Sequence, residues 1–185
     1  MNIDDLTGVI VAQVKALLPK LRQCERHHGR FDTAALKRAV QGAPAVFVSC
    51  LGFPQVASRA GGDVAVTAQM AAFVVTRDIA GLDRTAAAAA IAMALVELVN
   101  DNRWDSDETF DPEAIRAENL FNDQLEGIGC TIWVVSWRQD LLAGEDVYAD
   151  DGTVLEHLYV SMSPEIGLAH KQDYRDIETG EAPPA

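Results

Sequence analysis

The sequence predicts an α+β fold, an antiparallel sheet of about four to five strands with helices packed on one face, plus a C-terminal hairpin extension. The segments richest in β-branched and aromatic residues come in pairs, which is typical of hairpins. The segment with the strongest helical pattern lies between the two pairs. The 185-residue chain is 49% apolar and 23% charged, so it can bury a core without disulfides or metals.

The N-terminal region predicts two helices around a short strand. Asp4 or Asp5 is a suitable cap for the first helix, whose apolar residues recur every three or four positions until Pro19 ends it. Residues Leu21–His28 then favour a short strand. Asp32 is a suitable cap for a second, shorter helix.

The central region predicts a hairpin. Ala45–Phe53 is a buried strand by composition, Pro54–Asp63 is a loop, and Val64–Arg77 is a long strand. Side chains alternate along that strand, so Val74 and Phe73 are expected on opposite faces of the sheet.

Asp83 is expected to cap the main helix, which runs to about Val99. It contains the alanine run Ala86–Ala90, and alanine both favours helix and lets another backbone approach closely. Two strands follow, Ala114–Leu120 and a final strong strand, Cys130–Asp140. Trp133, Val135 and Trp137 should share one face of that last strand.

The chain is expected to divide into three regions. An α+β domain covers residues 1–142, a β-hairpin extension covers 143–170, and a flexible acidic tail covers 171–185. Within the extension, Asp150-Asp151-Gly152 is a turn signal between two short β-like pieces, Asp146–Ala149 and Val154–Met162.

Charge and cysteine usage limit the classes of function. The net charge of −13 and pI near 4.5 disfavour a broad nucleic-acid interface. Cys24, Cys50 and Cys130 are scattered and odd in number, which suits a reducing compartment. The start lacks the basic residues of a signal peptide, and no membrane partner is indicated. These features predict a protein made in the cytoplasm.

A search for chemical motifs predicts no catalytic residue, no cofactor and no metal. Cys24, His27 and His28 lie close together, with Cys50 on a nearby strand, but a structural zinc site needs a second ligand pair. The acidic loop at residues 101–111 lacks the central glycine and closing glutamate of a calcium loop. No serine has the glycine pattern of a nucleophile elbow, and no phosphate loop is present.

A diffuse set of structural motifs covers most of the chain, from about Asp4 to Leu142. They are AVFVSCLGF, VAVTAQMAAFVVTRD, the alanine-rich helix ending LVELVNDNRW, Asn119-Leu120, Gly127-Ile128, and the spacing Trp133-x-x-x-Trp137-x-Gln139. Together these motifs resemble the Mu-like phage tail terminator family, a prophage tail family formerly of unknown function.

The resemblance implies a structural role in a virion tail. Tail terminators are small α+β proteins that assemble as a ring, usually a hexamer, on the end of the finished tail tube. The implied partners are other copies of the chain, the tail tube and sheath proteins, and the head-tail connector, with DNA only passing through the lumen. The resemblance implies no cofactor and no active site, and assembly in the cytoplasm of a bacterial host.

Under this hypothesis some residues should contact neighbouring copies. The candidates combine the alanine run, the long strand, the tryptophans and the Asn119 motif: Val64, Val66, Ala86, Ala90, Trp104, Asn119 and Trp137. The C-terminal hairpin is expected to reach a neighbouring subunit or the sheath.

Two other classes of function remain open at this stage. The chain could be another prophage virion connector or an assembly chaperone that acts as a monomer or dimer. It could also be a metal-dependent hydrolase that uses Cys24, His27 and acidic loop residues. Oligomeric state separates the first alternative from a ring, and metal content separates the second.

Overall fold

The computed structural model describes residues 2–28, 38–78, 83–120, 129–145, 147 and 157–183. It divides into two compact units, Met1–Val147 and Tyr148–Ala185. The first unit is a mixed α+β domain, which confirms the predicted fold class. Its elements are α1 (Ile3–Leu17), β1 (Gln23–Arg26), β2 (Ala45–Ser58), β3 (Val64–Arg77), α2 (Arg84–Val99), β4 (Glu113–Asn119) and β5 (Cys130–Ala143).

One five-stranded sheet organises the first unit, in the order β1-β2-β3-β5-β4. The predicted β2–β3 hairpin is present, and β5 pairs antiparallel with both β3 and β4. The β1–β2 pair is parallel, so the sheet is mixed rather than entirely antiparallel. A parallel pair needs a crossover connection, and the last part of this connection, residues 38–41, is helical.

Both long helices lie on one face of the sheet and form its main core. Apolar side chains from α1 and α2 pack there against the three central strands. The residues of α1 and α2 that are at most 2% exposed are Leu6, Ile10, Val14, Ala88, Ala92, Leu95 and Val99. A smaller cluster on the opposite face contains Phe47, Phe73 and Ile132. Among the residues that the structure describes, no helix is long and apolar enough to cross a membrane.

The predicted capping residue is correct for α2 and wrong for α1. Asp83 caps α2 as predicted, since its carboxylate accepts from the backbone N–H of Thr85 at 3.2 Å and of Ala86 at 3.1 Å. The cap of α1 is Asn2, not Asp4 or Asp5, and its side-chain oxygen accepts from the Asp5 N–H at 2.8 Å. The two aspartates lie in the first turn, where their charge favours the helix dipole.

Strand β2 is longer than predicted. It continues through Pro54 to Ser58 instead of ending at Phe53, so the loop shrinks to residues 59–63. Proline cannot donate to a sheet ladder but is tolerated on an edge strand, and β2 is an edge in this region. The pairing with β3 shifts register between Cys50 and Gly52 and again between Gly52 and Gln55.

The other predicted elements differ little from those observed. The bounds of β3 agree in full, β4 is shifted by one residue, and β5 extends three residues beyond Asp140. The first strand, predicted over Leu21–His28, is limited to β1. The predicted cap Asp32 lies outside the described residues.

The C-terminal unit is paired differently from the prediction. Its strands are β6 (Tyr159–Val160) and β7 (Arg175–Asp176), which are antiparallel, with a 3₁₀ helix at Leu168–Asp173 between them. A hairpin extension therefore exists, but its second strand lies in the region predicted as a tail. The turn at Asp150-Asp151-Gly152 lies outside the described residues.

Candidate subunit-contact surface

Two of the residues suggested for a metal site, Cys24 and His27, contact clusters on opposite faces of the sheet. Cys24 packs in the main core beneath α1, where its thiol donates to the Val11 carbonyl oxygen at 3.8 Å. His27 lies edge-on to Phe47, which belongs to the cluster on the opposite face. Burial raises the pKa of Cys24 to about 11, so the side chain is a neutral thiol near pH 7.

Two carboxylates of the acidic loop at residues 101–111 form hydrogen bonds within the protein. Asp111 makes a two-contact ion pair with Arg103, at 2.7 and 2.9 Å, and this hydrogen bonding lowers the pKa of Asp111. Asp105 accepts from the Gln13 side chain on α1 at 2.8 Å. Within the described ranges, no group of three His, Cys, Asp or Glu side chains is arranged to hold a metal ion.

Gln139 on β5 joins two buried tryptophans. Its side-chain oxygen accepts from the indole N–H of Trp104 at 2.9 Å and from that of Trp137 at 3.1 Å. Its amide nitrogen donates to the Phe110 carbonyl oxygen. All three polar side chains are at most 1% exposed. The network thus ties the loop between α2 and β4 to the sheet.

The same loop has an unusual backbone. Asp101, Trp104 and Asp105 all have positive φ, between 55° and 56°, a conformation that costs free energy for residues other than glycine. Asn102 supports it, because its side chain accepts from the Trp104 N–H and donates to Gln13 at 2.8 Å. The loop is therefore held against both α1 and β5.

Two of the predicted contact residues must be corrected. Trp104 is 1% exposed and Trp137 is 0% exposed, so neither side chain can reach a neighbouring copy. Their place in the core follows from the hydrogen bonds to Gln139, which satisfy indole groups that would otherwise be costly to bury. Within the Trp133-x-x-x-Trp137-x-Gln139 spacing, Trp137 and Gln139 therefore stabilise the fold of this protein.

The remaining candidates lie on three different elements. Ala86 and Ala90 are exposed along the outer side of α2, and Asn119 is exposed on β4. Val64 and Val66 are partly buried at the start of β3, where they pair with Ser58 and Val56 of β2. As a subunit-contact surface, these five residues remain a prediction.

Sequence reasoning missed the most apolar exposed segment of the first unit. Leu51, Phe53 and Val56 on β2 are 44%, 49% and 63% exposed. We name residues Leu51–Ser58 the free β2 edge, because β1 pairs only with Ala45–Val48 of this strand. The sequence signal for this edge is Pro54 within an apolar run. The proline predicts the end of the strand, but in the structure the strand continues through it as an edge.

Comparison with protein families assigns the domain. The family model for Bacteriophage Mu, Gp37 matches residues 2–141, which include both long helices and nearly all of the five-stranded sheet. A comparison with curated proteins gives no match. The match confirms the resemblance to a Mu-like phage family. The chain belongs to the Bacteriophage Mu, Gp37 family and is a phage structural protein, a component of the virion.

Proposed function

We propose that this protein is a tail terminator, which assembles as a ring on the end of the tail tube and stops its growth. The observation that carries the proposal is the exposed apolar free β2 edge on a domain of a phage structural family. Exposed apolar side chains on a sheet edge are typical of a surface that another protein covers. A hexamer is the proposed ring.

The polar residues of the domain support a structural role. Cys24 and His27 contact clusters on opposite faces of the sheet, and the carboxylates Asp105 and Asp111 form contacts that shape a loop. We therefore propose that the protein is not an enzyme and needs no cofactor. A stoichiometric zinc content that is lost on Cys24→Ser would contradict this part of the proposal.

The proposed partners follow from the position of a terminator. One side of the ring would contact the tail tube and sheath, and the other side would receive the head-tail connector. DNA would only pass through the lumen. The net charge of −13 suits such a passage, because an acidic wall repels phosphate and does not retain the DNA.

The decisive experiment uses purified tail tubes whose subunits are still polymerising. Added terminator should cap the ends, so tube lengths measured by electron microscopy stop increasing and a ring is visible at one end. An unrelated acidic protein of similar size is the control. Tubes that keep growing in a molar excess of the protein would exclude a terminator and leave a connector or assembly chaperone.

A further inference from the structure

The free β2 edge has no strand beside it on its outer side within the described part of the chain. β1 reaches only as far as Val48, and the last contact of this pair is the hydrogen bond from the His27 N–H to the Val48 oxygen at 2.8 Å. Beyond that point β2 continues to Ser58, and its last eight residues, Leu51–Ser58, are paired on one side with β3. That length is roughly 26 Å of extended backbone.

This edge lacks the charged residues that usually protect edge strands. No charged residue occurs in β2 from Ala45 to Ser58. Leu51, Phe53 and Val56 expose apolar surface on the edge itself. Pro54 removes a single hydrogen-bond donor, and both register shifts lie between Cys50 and Gln55. The regular part of the edge, Gln55–Ser58, keeps its backbone groups available to pair with a strand.

The opposite end of the same sheet is also open but differs in character. Among the described strands, β4 pairs only with β5. Six of its seven residues are exposed, and it carries Glu113, Arg116 and Glu118. On one side, the sheet therefore exposes the uncharged free β2 edge beyond the short strand β1, and on the other side it ends in the charged strand β4.

We propose that the free β2 edge receives the β4 strand of a second copy of this chain, so that the sheet continues from one subunit to the next. The inference rests on the proposed ring. A closed ring needs a heterologous contact in which one surface meets a different surface on the next copy, and the two unlike ends of this sheet provide such a pair.

Charge favours this pairing between two acidic molecules. Each copy has a net charge of −13, so contacts between their acidic surfaces are repulsive. The carboxylates of Glu113 and Glu118 on β4 would meet no like charge on β2, because that strand has none. Pairing two β2 edges would instead produce a two-fold dimer and leave β4 unused.

Hydrogen exchange of the full chain tests which strands pair. Backbone amides of Leu51–Ser58 and of Glu113–Asn119 should exchange at least about tenfold more slowly in assembled protein than in dilute monomer. Amides in the middle of α2 are the internal reference and should not change. Slower exchange in the β2 segment alone indicates a two-fold β2 pair, and no change in either segment indicates another interface; both results overturn the proposal.

A matched pair of substitutions tests the energetic role of the edge. Val56→Lys places a charge on the free β2 edge, and Met93→Lys places the same charge on the outer side of α2. The two side chains are similarly exposed, at 63% and 60%. The dissociation constant of self-association, measured by light scattering, should rise at least about tenfold for Val56→Lys and stay within about twofold for Met93→Lys. Equal behaviour of the two variants overturns the proposal, and circular dichroism verifies that both are folded.

Failure of this inference can be distinguished from failure of the proposed function. If the protein caps tubes while neither strand is protected from exchange, the terminator role stands and the strand pairing is wrong. If both strands are protected in an assembly that leaves tubes growing, the strand pairing stands and the terminator role is wrong.

Discussion

Gln139 shows how a single side chain can determine where two large residues lie. A tryptophan indole is mostly apolar, but burying its N–H without an acceptor costs free energy. One oxygen of Gln139 serves both Trp104 and Trp137, and the two indole rings lie with their centroids 6.1 Å apart. The spacing between Trp137 and Gln139 was visible in the sequence, but their shared partner Trp104 was not.

Replacing Gln139 with leucine should destabilise the domain strongly. Gln139→Leu leaves two buried indole N–H groups without an acceptor, and each such loss costs about 1–3 kcal/mol. We expect the free energy of unfolding to fall by about 2–6 kcal/mol, measured by urea denaturation. The control Gln69→Leu loses only one partly buried hydrogen bond, from its amide to the Trp137 oxygen, and should cost about 1 kcal/mol. Equal losses in the two variants would contradict the role given to Gln139.

At the scale of elements, the side chain of Asp83 stabilises the start of helix α2. Removing the cap in Asp83→Ala should lower the free energy of unfolding by about 0.5–2 kcal/mol, because the N–H groups of Thr85 and Ala86 lose their acceptor. Thermal unfolding followed by circular dichroism measures the change. Asp83→Ser keeps a capping oxygen and should remain close to the wild type. A serine variant as unstable as the alanine variant would contradict the capping argument.

The pairing of β6 with β7 should depend on acid pH. Backbone N–H groups of Thr179 and Glu178, with a further contribution from His157, lower the pKa of Asp176. A lowered pKa means that the stabilisation is complete above the unfolded value of about 3.9 and is lost as the pH falls through the folded value. We expect amide exchange at Tyr159 and Val160, measured by NMR, to be unchanged between pH 7 and 5 after correction for intrinsic rates and to accelerate below about pH 4.

A substitution separates this effect from general acid unfolding. In Asp176→Asn the acceleration below about pH 4 should disappear, because the side chain no longer titrates. Asp173→Asn removes an exposed carboxylate next to His170 and should leave the acid dependence as it is. Identical pH profiles for the wild type and Asp176→Asn would show that another group controls this pairing.

Elements with strong local signals could be predicted, and those set by distant partners could not. The bounds of β3 and the cap of α2 follow from β-branched runs and a single aspartate. The continuation of β2 through Pro54 depends on the absence of a neighbouring strand, which is a property of the sheet. Likewise, the burial of Trp104 depends on Gln139, which lies 35 residues further along the chain.

On the scale of the whole molecule, the first unit should fold without the second. Both apolar clusters consist of residues in Met1–Val147. A fragment that ends at Val147 should therefore keep the far-ultraviolet circular dichroism expected for its elements. Its melting temperature should lie within about 5 °C of the full chain, since the fragment keeps both apolar clusters. A fragment that is soluble but lacks cooperative melting would contradict this division.

The candidate contact surface could not be predicted from the sequence either. Alanine-rich α2 and the long β3 provided most candidates in the sequence, and these candidates lie on separate elements. The free β2 edge becomes visible only when the strand order is known, because the same residues would be ordinary core in the middle of a sheet. Composition alone does not distinguish the two situations.

The strand order also has a consequence for synthesis on the ribosome. β4 precedes β5 in the chain, but β5 lies between β3 and β4 in the sheet. A nascent chain that has emerged only as far as Asn119 thus lacks the strand against which β4 must align, and the side of β3 that β5 will occupy is still uncovered. The sheet can close only after Ala143 leaves the exit tunnel, so translational pausing shortly before β5 should increase recruitment of host chaperones to this protein.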